Sequence, residues 1–181
     1  MPRKIIVAMS LLVAPLAVAN EQAMEALRTA AGSWGGELYY VDYQSGERIS
    51  IPMQAMIETT PDGATVIRRM VWTDPDKFVH AIVLTTIDRD TGELVEAFFR
   101  DGKGEYTRYE LASMEFDSAT EWTIEFEHDG TDDDRPARIR HTTQRDGDQM
   151  TSVKSVRFLD DAGGDYFERN GSELRLIEVA E

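Results

Sequence analysis

Three histidines, His80, His128 and His141, are the residues in this 181-residue chain best suited to metal ligation or proton transfer. His128 ends the alternation Trp122-x-Ile124-x-Phe126-x-His128, whose other phase is Thr123, Glu125 and Glu127. His141 closes Ala137-x-Ile139-x-His141 against Arg138 and Arg140. Residues two apart on a strand share a face, so both imidazoles are expected to point with the apolar set. If residues 128 and 137 face each other across a hairpin, His141 falls opposite Ile124, roughly 13 Å from His128. Metal–nitrogen bonds are about 2 Å, so one ion could not use both rings. His80 shares a phase with Phe78, Ile82 and Leu84 and is expected inward as well. Separately satisfied or rim histidines are preferred over a shared metal, and neither a metal site nor a cofactor is predicted. A single inward histidine as haem ligand or catalytic base is the remaining alternative.

Other reactive constellations are missing. There is no cysteine, which removes disulfides, thiol catalysis and cysteine-ligated zinc together. No Gly-x-Ser-x-Gly, His-Glu-x-x-His or phosphate-binding glycine loop occurs, and Gly102-Lys103-Gly104 reads as a hairpin turn. The acidic runs Asp129 to Asp134 and Asp160 to Asp165 lack EF-hand spacing and read as solvated loop charge. With 34 Asp and Glu against 19 Lys and Arg, the net charge is −15. Such a surface repels nucleic acid and anionic membranes, so neither is expected as a partner.

Aromatic residues spread over different strands are more informative. Tyr40, Trp72, Phe78, Phe98, Tyr106, Trp122, Phe126 and Phe158 fall in phases compatible with one interior. Polar residues share those phases: Asp42 with Tyr40, Arg68 with Trp72, Arg108 with Tyr106 and Lys154 with Phe158. A packed interior has little use for cations, whereas a ligand cavity uses a few convergent polar groups. The candidate ligand-binding set is therefore Tyr40, Arg68, Trp72, Tyr106, Arg108, Trp122, Phe126, His141 and Lys154. A β-bulge in any of these strands would turn the residues beyond it outward.

The elements that must position these residues form a meander. Residues 20–31 read as one amphipathic helix, capped by Asn20 and ended by Gly32, with Met24, Leu27, Ala30 and Ala31 on one face. About ten period-two segments follow, near 34–43, 47–58, 64–73, 78–88, 93–100, 104–116, 121–128, 136–145, 149–159 and 165–179. Asn170-Gly171 is expected to break the last one. Ser45-Gly46, Asp62-Gly63, Thr91-Gly92 and Asp146-Gly147 are hairpin signals, Asp74-Pro75-Asp76 is a type I turn signal, and 129–135 reads as a long hairpin loop. Connections this short force antiparallel neighbours. The predicted fold is all-β, an antiparallel up-and-down meander of about eight to ten strands closed into a barrel, with a short N-terminal helix.

Ahead of the helix, Arg3 and Lys4 precede the apolar run Ile5 to Val18, and Ala17-Val18-Ala19 supplies small residues for a cleavage site. Residues 1–19 are read as a secretory signal and residues 20–181 as a single domain, exported to a periplasm or medium. An apolar run of about 14 residues is short for a span of roughly 20. No integral membrane segment is expected after cleavage, and the net charge becomes −17 because Arg3 and Lys4 leave with the signal.

Gly32-Ser33-Trp34 followed by Gly35-Gly36, a Gly-x-Trp opening the first strand just after a short helix, resembles the start of lipocalins and their calycin relatives. It is most similar to bacterial lipocalin-like families of unknown function, whose first strand carries Trp-x-Gly. The resemblance implies a lipocalin-like barrel whose tryptophan closes the floor beneath an arginine from a late strand, with Arg169 and Arg175 as candidates. The second and third lipocalin motifs are absent. The leading functional reading is a carrier, scavenger or sensor of a small hydrophobic or amphipathic ligand, with a carboxylate met by Arg68, Arg108 or Lys154. The alternatives are a barrel lyase or isomerase using His128, His141 or Asp42, and an envelope structural or interaction module without a ligand.

Overall fold

A computed structural model describes residues 14–42, 45–74, 76–161 and 164–177. One helix, α1 (Ala14–Thr29), is followed by ten strands. They are β1 (Gly32–Val41), β2 (Arg48–Thr59), β3 (Thr65–Asp74), β4 (Lys77–Ile87), β5 (Leu94–Arg100), β6 (Lys103–Ser118), β7 (Glu121–Asp132), β8 (Arg135–Asp146), β9 (Gln149–Phe158) and β10 (Phe167–Leu176). Each strand pairs antiparallel with its neighbours in sequence, and β10 pairs back onto β1. The sheet is thus the expected up-and-down meander, closed, with every edge paired. Residues 1–13 of the expected signal, Pro75 of the expected type I turn and residues 178–179 of the last expected strand lie outside the described residues.

Three local expectations are corrected. Helix α1 already includes Ala14, six residues before Asn20, and Asn20 is no cap: it is 2% exposed and its Nδ2 donates to the Gly92 carbonyl at 2.7 Å. Asn170-Gly171 does not break β10, which runs through both residues with a bulge between Glu168 and Asn170. Gly171 serves close approach instead, because a Cβ there would overlap the Tyr39 hydroxyl and the Ser152 carbonyl oxygen. Between β7 and β8 there is no long loop. Asp132 pairs directly with Arg135, and the two-residue turn Asp133-Asp134 holds φ of 50° and 57°, the left-handed geometry of a tight hairpin.

One end of the barrel is closed by a plug. Trp34, at the start of β1, is fully buried and donates through Nε1 to the Ala30 carbonyl at 2.9 Å. Ala23, Met24, Ala26 and Ala30 of the helical segment are buried beside it, and the three alanines let the helix sit close to the strand ends. The guanidinium of Arg145 on β8 lies 5.4 Å from the Trp34 ring. Arg145 donates to the carbonyls of Thr29, Ala119 and Gly147, so one side chain ties the helix end to two hairpin turns. Arg28 donates to Gly63, and Trp122 donates to the Thr29 hydroxyl at 3.0 Å, adding a third turn and a wall strand. The tryptophan–arginine floor expected from the resemblance is present, but Arg145 builds it. Arg169 lies 3.5 Å from Asp132, and Arg175 pairs with Asp148 on the surface, so neither reaches Trp34.

Truncating Trp34→Ala is expected to cost about 3–5 kcal/mol, the range for a large buried side chain. Arg145→Ala is expected to cost at least about 2 kcal/mol, because buried carbonyls lose their donors. Exposed Arg175→Ala is expected to stay within about 0.5 kcal/mol. Urea denaturation of the three variants measures this ordering.

Candidate functional site

Alternation along the strands builds a cavity above the plug. Met53, Ala55 and Ile57 of β2, Val66, Arg68 and Met70 of β3, and Val83 and Thr85 of β4 point inward. From the far wall come Leu94, Glu96 and Phe98 of β5, Tyr109 of β6, Trp122 and Phe126 of β7, His141 and Thr143 of β8, and Met150, Ser152 and Lys154 of β9. The cavity volume is about 300 Å³, the lower end of the range for small-molecule pockets. Leu27 and Ala30 of the plug, with Trp122, Met150 and Leu174, make its lower part apolar.

Polar groups gather higher on the wall. Glu96 accepts from Arg68 at 2.5 Å, from Thr85 at 3.2 Å and from the Tyr109 hydroxyl at 3.4 Å. Burial, then the nearby Glu96 charge, push the Tyr109 hydroxyl pKa well above its ordinary value, so it stays a donor. Farther from the plug, Lys154 donates to buried Asp132 at 2.7 Å. His141 sits between these groups, with Phe126 and Lys154 as its cross-strand partners. Burial pushes the His141 pKa down to about 3, and the positive fields of His128, Lys154 and Arg68 act in the same direction. The ring is therefore neutral at pH 7. The tight β7–β8 turn shifts the register by two residues from the expected one, so Phe126 rather than Ile124 faces His141. His128 and His141 consequently stack with centroids 5.7 Å apart and planes inclined by 13°, instead of lying far apart. Tyr109 packs edge-on against both rings. Among the described residues no group of three or more His, Cys, Asp or Glu side chains is arranged to hold a metal ion.

Of the nine residues expected to meet a ligand, Arg68, Trp122, Phe126, His141 and Lys154 line this cavity. Trp72 points inward and is buried, but it packs in the core toward the far end of β3 and is not part of the lining. Tyr40 shares the phase of Trp34 and Leu38, yet lies farther from the plug, 40% exposed and outside the lining. Tyr106 and Arg108 face outward, Tyr106 being 62% exposed and Arg108 paired with Asp88 and Glu93. Their misplacement has a definite cause. A bulge between Leu111 and Ser113 inverts the parity of β6, so Met114 and Phe116 below it and Tyr109 and Leu111 above it are the inward residues. His80 is also outward, in a groove with Gln54, Met56 and Arg69, because Val79, Ala81 and Val83 take the inner phase of β4. Asp42 is a turn residue that accepts from Ser45.

Glu96, Tyr109, Thr85 and Arg145 are not among the expected residues. Glu96 carried the same signal that picked out Arg68, a charge in the phase of apolar Leu94 and Phe98. Tyr109 was hidden by the bulge, and Arg145 shares its phase with Thr143 and His141, which do not mark it as a plug residue.

No protein-family model and no curated protein matches the chain. Among solved structures, the crystal structure of Rv2717c from M. tuberculosis superposes with a TM-score of 0.56 at 12% identity, covering 86% of this chain and 98% of that one. The two proteins share a fold. That likeness and the closed ten-strand barrel fit a lipocalin-like architecture. No helix among the described residues is long and apolar enough to cross a membrane.

The neutral His141 makes stability depend on pH. Its folded pKa lies below its unfolded value of about 6.5, so its unfolded form takes up a proton first as pH falls. Stability from this group is complete above about pH 6.5 and is lost progressively toward about pH 3. From pH 7 to pH 5 the unmodified protein is expected to lose about 1–2 kcal/mol more than His141→Gln, by urea denaturation at each pH. Equal losses would show that His141 is not held neutral.

Proposed function

We propose that the barrel binds a small, mostly apolar molecule in its interior and acts as a carrier, scavenger or sensor. One observation carries the reading. The interior keeps Arg68, Glu96, His141 and Lys154 on the wall of an otherwise apolar cavity, where a packed core would have placed apolar side chains. The plug supports it by sealing the apolar lower part at one end. The enzyme reading gains less, since neither His128 nor His141 hydrogen-bonds a carboxylate among the described residues, and His128 instead lies 3.2 Å from the Asp129 carbonyl oxygen.

Assignment to a lipocalin-like calycin family is part of the same proposal, supported by the Trp34–Arg145 floor. So is export with cleavage after Ala19. Val18 is exposed, whereas Asn20, Ala23, Met24 and Ala26 beyond the cut are buried, so these packed residues would stay with the exported chain. Intact-mass measurement of the exported protein is expected to give residues 20–181; a mass for the full chain would refute the cleavage.

Binding is tested with N-phenyl-1-naphthylamine, an uncharged apolar fluorophore. Its emission is expected to rise and saturate with the protein. Filling the cavity with Thr143→Trp is expected to weaken that binding about tenfold or more, since an added large side chain removes the space and its apolar contacts. Absence of saturable emission, or undiminished binding to a folded Thr143→Trp variant, would overturn the proposal.

A further inference from the structure

On the polar side of the cavity, Arg68 and Lys154 keep N–H donors beyond the one that each gives to Glu96 or Asp132. A lysine ammonium has three N–H donors and an arginine guanidinium five, while neither has an acceptor. The two carboxylates nearby are heavily used. Glu96 already accepts from Arg68, Thr85 and Tyr109. Asp132 accepts from Lys154 and lies 3.5 Å from Arg169. His141 lines the same cavity, is half-buried, and makes no hydrogen bond to a described side chain or backbone group. A half-buried imidazole without a protein partner normally finds one in solvent or ligand. The excess of donors stands out in a chain whose net charge is −15.

Resting on the reading of the barrel as a binder of small apolar molecules, we propose that its ligand is an amphipathic monoanion. Its carboxylate lies among His141, Lys154 and Arg68, and its apolar body points toward Trp122, Met150 and Leu174 above the plug. The carboxylate supplies acceptor lone pairs where donors are in surplus, through charge-assisted hydrogen bonds that are stronger than neutral ones. All three residues line one cavity, and the cations act on His141 from two walls, Arg68 on β3 and Lys154 on β9. The volume of about 300 Å³ limits the apolar body to a short chain or a small ring system.

Isothermal titration calorimetry with decanoate and 1-decanol at pH 7 compares the same chain with and without the charge. Decanoate is expected to bind about tenfold or more tightly than decanol. That affinity ratio is expected to fall toward one in Lys154→Met and in His141→Leu, the latter leaving no charge without its partner. Arg108→Met, which removes a cation on the outer face, is expected to keep the ratio. If decanol binds and decanoate binds no better, or if the ratio survives both cavity substitutions, the anion inference fails while binding stands. If neither compound binds, the ligand-binding reading fails with it.

Discussion

The contact of Arg145 with Trp34 and the end of the helix is the constraint on which the rest of the barrel depends. A ten-strand barrel has more interior than the side chains of its walls fill, so at least one end needs a lid that is itself satisfied. Backbone carbonyls at a helix end and at hairpin turns are unpaired acceptors, and burying them without donors is costly. Arg145 answers three of them at once and covers the indole face, while Trp34 answers a fourth through Ala30. Burial lowers the guanidinium pKa, although not far enough to discharge an arginine. The plug therefore fixes which end of the cavity is apolar and sealed, and the polar groups lie farther along the wall.

That polarity along the barrel axis gives the interior its chemical character. Charges on the outer face pair extensively, as in the cluster where Glu127 accepts from Arg138, Arg140 and Tyr166. Its members are half-buried on that face. Inside, the same residue types are few and deliberately placed relative to one another. Arg68 and Glu96 sit on opposite sides of β4, with Thr85 of that strand between them also donating to Glu96. Such a wall is polar without being charged overall at that level, and His141 beside it is neutral because every nearby field and its own burial oppose a proton.

Much of this was legible in the residues. Alternation and hairpin signals were enough to order the strands, because a period of two with short connections admits few topologies. Arg68 and Lys154 stood out as cations in apolar phases, and the structure brings both to the cavity. What escaped was set by single-residue events. The bulge at Leu111/Ser113 exchanges Tyr106 for Tyr109, and the two-residue Asp133-Asp134 turn moves His141 two positions along β7 and onto His128. A strand pattern carries no mark of either, since one unpaired residue or a shorter turn leaves the composition unchanged. Arg145 escaped for another reason. Its role comes from contacts with Thr29, Ala119 and Gly147, which only the closed barrel brings together.

The cavity above the plug is proposed as a place for a small molecule. Native mass spectrometry of the protein purified gently from its own host tests this most directly, because it requires no guess at the ligand. The expected spectrum shows a second, heavier species carrying a non-covalent small-molecule adduct that collisional activation removes. A single apo mass, under conditions that preserve such adducts in a control binding protein, would contradict it.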